Sequence, residues 1–191
     1  MSKGPPKTVD DMLLLPDDLR VELIEGEIVE RAATVPRHGL SQLALGSALI
    51  RRFGRGPGGR WPGGWWILTE ADVSYGTPNY FTHDLAGWRR ERMSDVPDSR
   101  PIRLRPDWVC EIVSPSNAKN DLVTKPRILA AAGVPYYWVA YPSDHVLLVH
   151  QLVNERYELV LTAGTGETIR AEPFSEVELR VATLFGEPDD E

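Results

Sequence analysis

A single cysteine, Cys110, stands in a chain of 191 residues. It rules out an internal disulfide and a cysteine-built zinc centre, and it suits a reducing, cytoplasmic setting. There is no run of about eighteen apolar residues and no charged-then-apolar leader before a small-residue cleavage site, so neither a membrane span nor a secretory signal is expected. The four histidines, at 38, 83, 145 and 150, show no HxxxH or HxH spacing, which leaves a histidine zinc site unsupported. Acids are missing from one whole segment: from Arg31 to Arg60 there are six arginines (31, 37, 51, 52, 55, 60) and no Asp or Glu. From Asn154 to Glu191, ten acids face three arginines, which matches the whole net charge of −7. An acidic chain argues at first sight against a polyanion partner. The uneven distribution lets the middle meet phosphates while the acidic end faces water, with an ordinary solvated surface as the competing reading.

What is present fits one domain, since 42% hydrophobic residues is enough for a substantial core. The expected division is a loose N-terminal segment over 1–14, a single domain over 15–185 and an acidic tail over 186–191. A short helix is predicted over Val9–Leu15, ended by Pro16. Val21, Leu23, Ile28 and Val29 around Glu25-Gly26 predict an N-terminal β-hairpin. Leu40, Leu43, Ser47 and Ile50 recur at helical spacing within about His38–Phe53, stopped by Gly54. Arg55–Gly64, with five glycines and two prolines in ten residues, can only be a loop and is expected to be mobile.

Trp65–Tyr75 and Tyr80–Trp88 read as strands around a Gly76–Asn79 turn. Asp107–Ser114 follows as a strand, Asn117–Ala132 as a helix closed by Gly133, then strands over Tyr136–Tyr141, Val146–Val153 and Glu155–Thr162, and a terminal helix near Val177–Phe185. The unit 107–141 is long enough for a right-handed crossover between parallel strands. The fold class is therefore α/β or α+β, a mixed sheet with helices packed on it.

The chemistry centres on Glu111, which sits in the apolar run Trp108, Val109, Cys110, Ile112 and Val113. An unpaired buried carboxylate costs several kcal/mol, so something must compensate it. Strand alternation puts Asp107, Val109, Glu111 and Val113 on one face and Trp108, Cys110 and Ile112 on the other, which makes Cys110 a buried structural thiol. Asp84 is a second acid in a half-apolar strand. Two such carboxylates form the oxygen-rich pocket that magnesium takes, with the Ile112 carbonyl as a further ligand and water or phosphate filling the rest. Lys125 either pairs with Asp121 four residues earlier on the same helix or leans over the sheet to orient or deprotonate a water; Lys119 is the second candidate. His38 either contacts a phosphate or bound water or caps its helix. His83, beside Asp84, is expected on the opposite face from it.

The succession Val21–Val29, Pro36-Arg37-His38, the Asp84 strand, Pro106–Ser116 (PDWVCEIVSPS), Asp121–Lys125 (DLVTK) and Ala132–Val139 (AGVPYYWV) resembles the Uma-two family of restriction endonucleases over about residues 15–185. The resemblance implies a PD-(D/E)xK restriction-endonuclease-like fold, a mixed central β-sheet flanked by helices. It also implies a magnesium- or manganese-dependent site hydrolysing DNA phosphodiesters. Carried over by position, Asp84 and Glu111 are the metal-binding acids. The lysine expected two residues after the second acid is Val113 here, so the resemblance places it at Lys125. Glu22, Glu27 and His38 match polar N-terminal positions that complete the site.

Arg37, Arg51, Arg52, Arg55 and Arg60 are expected on the DNA backbone, and a Trp-rich surface suits a homodimer. Trp61, Trp65 and Trp66 stack on bases or, preferably, pack in the core. The chain departs from the family pattern at His83, where a proline usually precedes the first acid, and at Pro126, Leu129 and Tyr136. A catalytically inactive nuclease-fold module that binds DNA or protein is the alternative.

Overall fold

The structure, a computed structural model, describes residues 5–16, 18–31, 33–56, 59–113 and 120–188. Among them an eight-stranded mixed sheet runs in the order β2-β1-β4-β5-β6-β7-β8, with β3 on the other edge of β4. No helix there is long and apolar enough to cross a membrane.

The chain enters through α1 (Val9–Leu13), closed at its start by a reciprocal Thr8–Asp11 capping box. Val9 and Met12 bury against Leu23 and Tyr80, and Lys7 donates its amide to the Gly26 carbonyl at 2.9 Å. The N-terminal segment is therefore docked from Lys7 onward, not loose. The hairpin β1 (Val21–Ile24) and β2 (Glu27–Glu30) turns through Glu25 and Gly26, both at positive φ (50° and 81°), as the twist of a two-residue hairpin requires.

Helix α2 (Pro36–Phe53) stops at Gly54 as its sequence predicts, but it buries His38, Ser41, Leu45, Ala48, Leu49, Arg52 and Phe53. The stripe Leu40, Leu43, Ile50 that announced the helix faces solvent instead, with Leu43 67% exposed. Both faces of α2 are apolar, and the sheet takes the one ending in Phe53. Gly46 lets the helix approach: a Cβ there would lie 3.3 Å from Leu85. In the following loop Gly63 bonds the Arg52 carbonyl, Gly64 bonds the Arg55 carbonyl, and the Gly64 carbonyl accepts from Arg90, so its far end is pinned. Residues 57 and 58 lie outside the described residues.

Strands β3 (Trp65–Ser74) and β4 (Tyr80–Arg89) pair antiparallel, and β4 passes to β5 (Trp108–Ile112). Strand β5 pairs parallel with β6 (Tyr136–Tyr141), as the predicted crossover requires. The crossing segment is a π-helical turn, Asn120–Thr124, and then α3 (Lys125–Ala131). Pro126 lacks the amide a continuous helix would use and so sits in the first turn of α3. Antiparallel β7 (Val146–Val153) and β8 (Arg156–Ala163) complete the sheet.

The terminal helix α4 spans only Val181–Leu184. Leu179 and Arg180, expected within it, form β10 against β9 (Thr168–Ile169). Residues 189–191 of the expected acidic tail lie outside the described residues.

One core lies on the α2 face and holds Trp108, Cys110, Ile112 and Trp138; the other holds Val109, Leu129, Val134 and Tyr137. The alternation predicted for β5 is therefore observed, and Cys110 is fully buried. Phe174 plugs the first core. Its ring lies 4.7 Å from Phe53, 4.9 Å from Trp65, 5.1 Å from Trp108 and 5.6 Å from Trp138. Trp65 is thus a core residue and not a base-stacking one. Phe174→Ala is expected to remove about 3–5 kcal/mol of stability, read as a lowered urea midpoint with an unchanged slope.

Candidate active site

The sheet forks at β4. One edge of this strand is met by β1 at Tyr80, through Leu23, and then by β5 from Leu85 to Gly87. Between these contacts, carboxylates stand in for the missing ladder carbonyls. The Thr82 amide donates to Glu22 Oε1 at 3.1 Å, and the Ile112 amide donates to Asp84 Oδ2 at 2.7 Å. Each buried N–H needs an acceptor, and the fork supplies acids.

A bend accompanies the fork. The β3–β4 register runs Ala71↔His83 and Thr69↔Leu85, and between them Glu70 adopts φ 48°. Beyond the bend the alternation resets: Phe81 lies in the α3-side core, while Leu85, which shares its parity, lies in the α2-side core. His83 stays beside Phe81, with which its ring is edge-on, and there meets the second acid, Glu111. Its Nδ1 lies 2.6 Å from Glu111 Oε1.

Asp84 is 5% exposed, Glu111 2% and Lys125 3%. Lys125 Nζ lies 3.0 Å from Glu22 Oε1, 3.2 Å from Asp121 Oδ1 and 3.7 Å from Glu111 Oε1. The i,i+4 pair with Asp121 and the reach to Glu111 therefore coexist. On the other side Arg31 approaches Asp84 Oδ1 (3.7 Å) and Glu22 Oε1 (3.9 Å) and bonds Glu70 Oε2 (2.9 Å). His38 Nε2 lies 3.1 Å from Asp84 Oδ1. Gln42 donates to Glu70 Oε1 and to the Asp84 carbonyl.

Four buried carboxylates, Glu22, Asp84, Glu111 and Asp121, face the two cations Lys125 and Arg31, so that full ionisation would leave an excess of two negative charges. The titrations follow. Burial pushes Glu111 up to about 8, against the pull of Lys125 and with the charges of Asp84 and Glu22 adding to the rise. Burial likewise pushes Asp121 up to about 7, with Lys125 again opposing. Burial would raise Asp84 too, but hydrogen bonds from His38 and the Ile112 amide hold it below its ordinary value. Lys125 is driven above its ordinary value because Glu111, Glu22 and Asp121 outweigh burial. Burial opposes charge on His38, yet Asp84 raises it. Burial depresses His83 to about 3, so this ring is neutral.

Of the residues singled out in the sequence, Asp84, Glu111, Lys125, Glu22 and His38 meet here. Glu27 does not join them: it is exposed on β2, opposite Ile24. Arg52 is buried, donates to the Ala48 carbonyl and lies over Trp61, which removes it from the proposed backbone contacts; Arg37, Arg51, Arg55 and Arg60 are exposed. Lys119 lies outside the described residues. Sequence reasoning missed Arg31 and Glu70 as members of the group. Arg31 follows Val29, the partner of Glu22, by two residues, so strand alternation could have placed it on the same face.

The family described as "Uma2: Putative restriction endonuclease" matches residues 9–182. The chain belongs to the Uma2 family. Among solved structures this Uma2 chain is similar to a "putative nuclease belonging to DUF820 from Anabaena variabilis ATCC 29413". The TM-score is 0.69 at 19% identity over 94% of this chain and 98% of that one, a likeness of fold. No curated protein matches this Uma2 sequence.

Raised folded-state values for Glu111 and Asp121 mean that these two groups hold more protons in the folded protein than in the unfolded chain, up to about pH 8. By linkage, stability falls as pH rises through that window. His38, also raised, has the same sign. His83 acts oppositely, but only below its ordinary value of 6.5. Without divalent cations, stability is therefore expected to decline from about pH 6.5 to 8 in urea unfolding, and Glu111→Gln to flatten the decline.

Proposed function

We propose that this chain is a divalent-metal-dependent endonuclease that hydrolyses DNA phosphodiester bonds, with Asp84 and Glu111 as its metal-holding acids and Lys125 as its catalytic cation. The observation that carries this reading is the excess of two negative charges that the four buried carboxylates at the sheet fork would carry once fully ionised. It matches one divalent ion, and the donors are the hard oxygens that magnesium and manganese prefer. Among the described residues no three acid, histidine or cysteine side chains form a ready metal cage. Two carboxylates, water and substrate phosphate are a common set for magnesium.

Asp84, Glu111 and the Ile112 carbonyl would hold the ion, which when bound supplies Lewis-acid polarisation of the scissile phosphate. Lys125 does the complementary work. The surrounding acids raise its pKa, so as an ammonium it would donate to the attacking water or to a phosphoryl oxygen and offset developing charge. Glu22 and Asp121 fix its position from two sides. His38 orients Asp84. Arg31 and Glu70 border a cleft of about 270 Å³ that also holds Arg20 and Arg100, and this is where a DNA backbone would approach. Arg37 lies in the first turn of α2 and Arg51 in the last, about 20 Å apart along the axis, so Arg51, Arg55 and Arg60 would touch a more distant part of the duplex.

Nicking of supercoiled plasmid with magnesium, against a chelated control, tests the reading. Asp84→Asn and Glu111→Gln are each expected to reduce nicking to background, and Lys125→Met to slow it by about 100–1,000-fold. Wild-type nicking by the Asp84→Asn/Glu111→Gln double variant would refute the site. DNA binding by the wild type without any cleavage would favour the inactive module.

A further inference from the structure

Glu111 is held by a chain of groups that the mechanism above does not use. Its Oε1 meets His83 Nδ1 at 2.6 Å, and His83 Nε2 meets the Tyr75 hydroxyl at 2.6 Å. His83 is wholly buried, with its ring edge-on to Tyr75 (5.7 Å, 76°) and Phe81 (6.0 Å, 82°). Its cross-strand partner is the small Ala71.

Geometry gives the chain a direction. The His83 ring turns Nδ1 to the Glu111 carboxylate and Nε2 to the Tyr75 hydroxyl. With a carboxylate that accepts on one side and a hydroxyl that can donate on the other, the ring proton is assigned to Nδ1, and Tyr75 donates to Nε2. The arrangement is Tyr O–H to imidazole, imidazole N–H to carboxylate. Outer partners of this kind orient the groups that bind metals.

We propose that His83, held by the Tyr75 hydroxyl, is a positioning residue that occupies Glu111 Oε1 and thereby aims the other carboxylate oxygen at the divalent cation. The proposal rests on the reading of Asp84 and Glu111 as metal-holding acids.

Calorimetric titration of Mn²⁺ into the full chain tests it without reference to catalysis. Tyr75→Phe keeps the ring and loses only the hydroxyl, and is expected to weaken Mn²⁺ binding by about 3–10-fold. His83→Leu is expected to weaken it by about 10–100-fold. His83→Asn keeps an N–H near the place of Nδ1 and is expected to recover most of that loss. Thermal midpoints in chelator report the fold separately; should His83→Leu fail to fold, Tyr75→Phe decides. Wild-type affinity in Tyr75→Phe, or equal losses in His83→Asn and His83→Leu, would overturn the positioning role while leaving the cation site standing. A wild type that binds no Mn²⁺ would overturn the reading of Asp84 and Glu111, and this proposal with it.

Discussion

The carboxylate that replaces a backbone carbonyl is the interaction on which the site depends. Where β4 leaves β1 and joins β5, two amides, Thr82 and Ile112, have no strand carbonyl to receive them, and Glu22 and Asp84 accept instead. Each bond has a carboxylate acceptor, the stronger kind, and the one from Ile112 is short at 2.7 Å. Each also draws an ionised group into the interior, which then requires cations. Lys125 and Arg31 answer that need, and both converge on Glu22 Oε1.

Such a cluster is a poor way to stabilise a fold. Desolvating several ions costs several kcal/mol each, and well-packed hydrocarbon of similar volume often does as well or better. The rest of the molecule has the apolar resources: Trp65, Trp108 and Trp138 close around Phe174 on the α2 side of the sheet. The polar group is confined to the fork, so its composition does not reflect a shortage of core.

Much of this was legible in the sequence, and the exceptions have identifiable causes. The hairpin was readable because Glu25-Gly26 is a turn that few other conformations accommodate, and the crossover because its length and the Gly133 stop leave little choice. Glu111 stood out because nothing else in its run is polar. The buried face of α2 was not readable, since an apolar stripe lies on both sides and only the sheet chooses between them. The meeting of His83 with Glu111 was not readable either: it depends on how β4 lies beside β5, and the strand bends next to Glu70, whose φ of 48° is a conformation that a glutamate side chain does not announce. Arg31 was counted with the acid-free segment by charge, although its place beside the hairpin tied it to Glu22.

The fork also divides the cluster between two parts of the sheet. Glu111, Asp121 and Lys125 ride on one slab, where β5 pairs with β6 and the Tyr137 hydroxyl of β6 ties down the Asp121 carbonyl of the π-turn at 2.5 Å. Glu22 and Arg31 ride on the hairpin side. Strand β4 joins the two through three residue pairs with β5, Leu85 to Gly87. The contact of Lys125 with Glu22 therefore bridges the hairpin and the β5–β6 slab, so that one ammonium ties together two parts of the sheet that otherwise meet through β4.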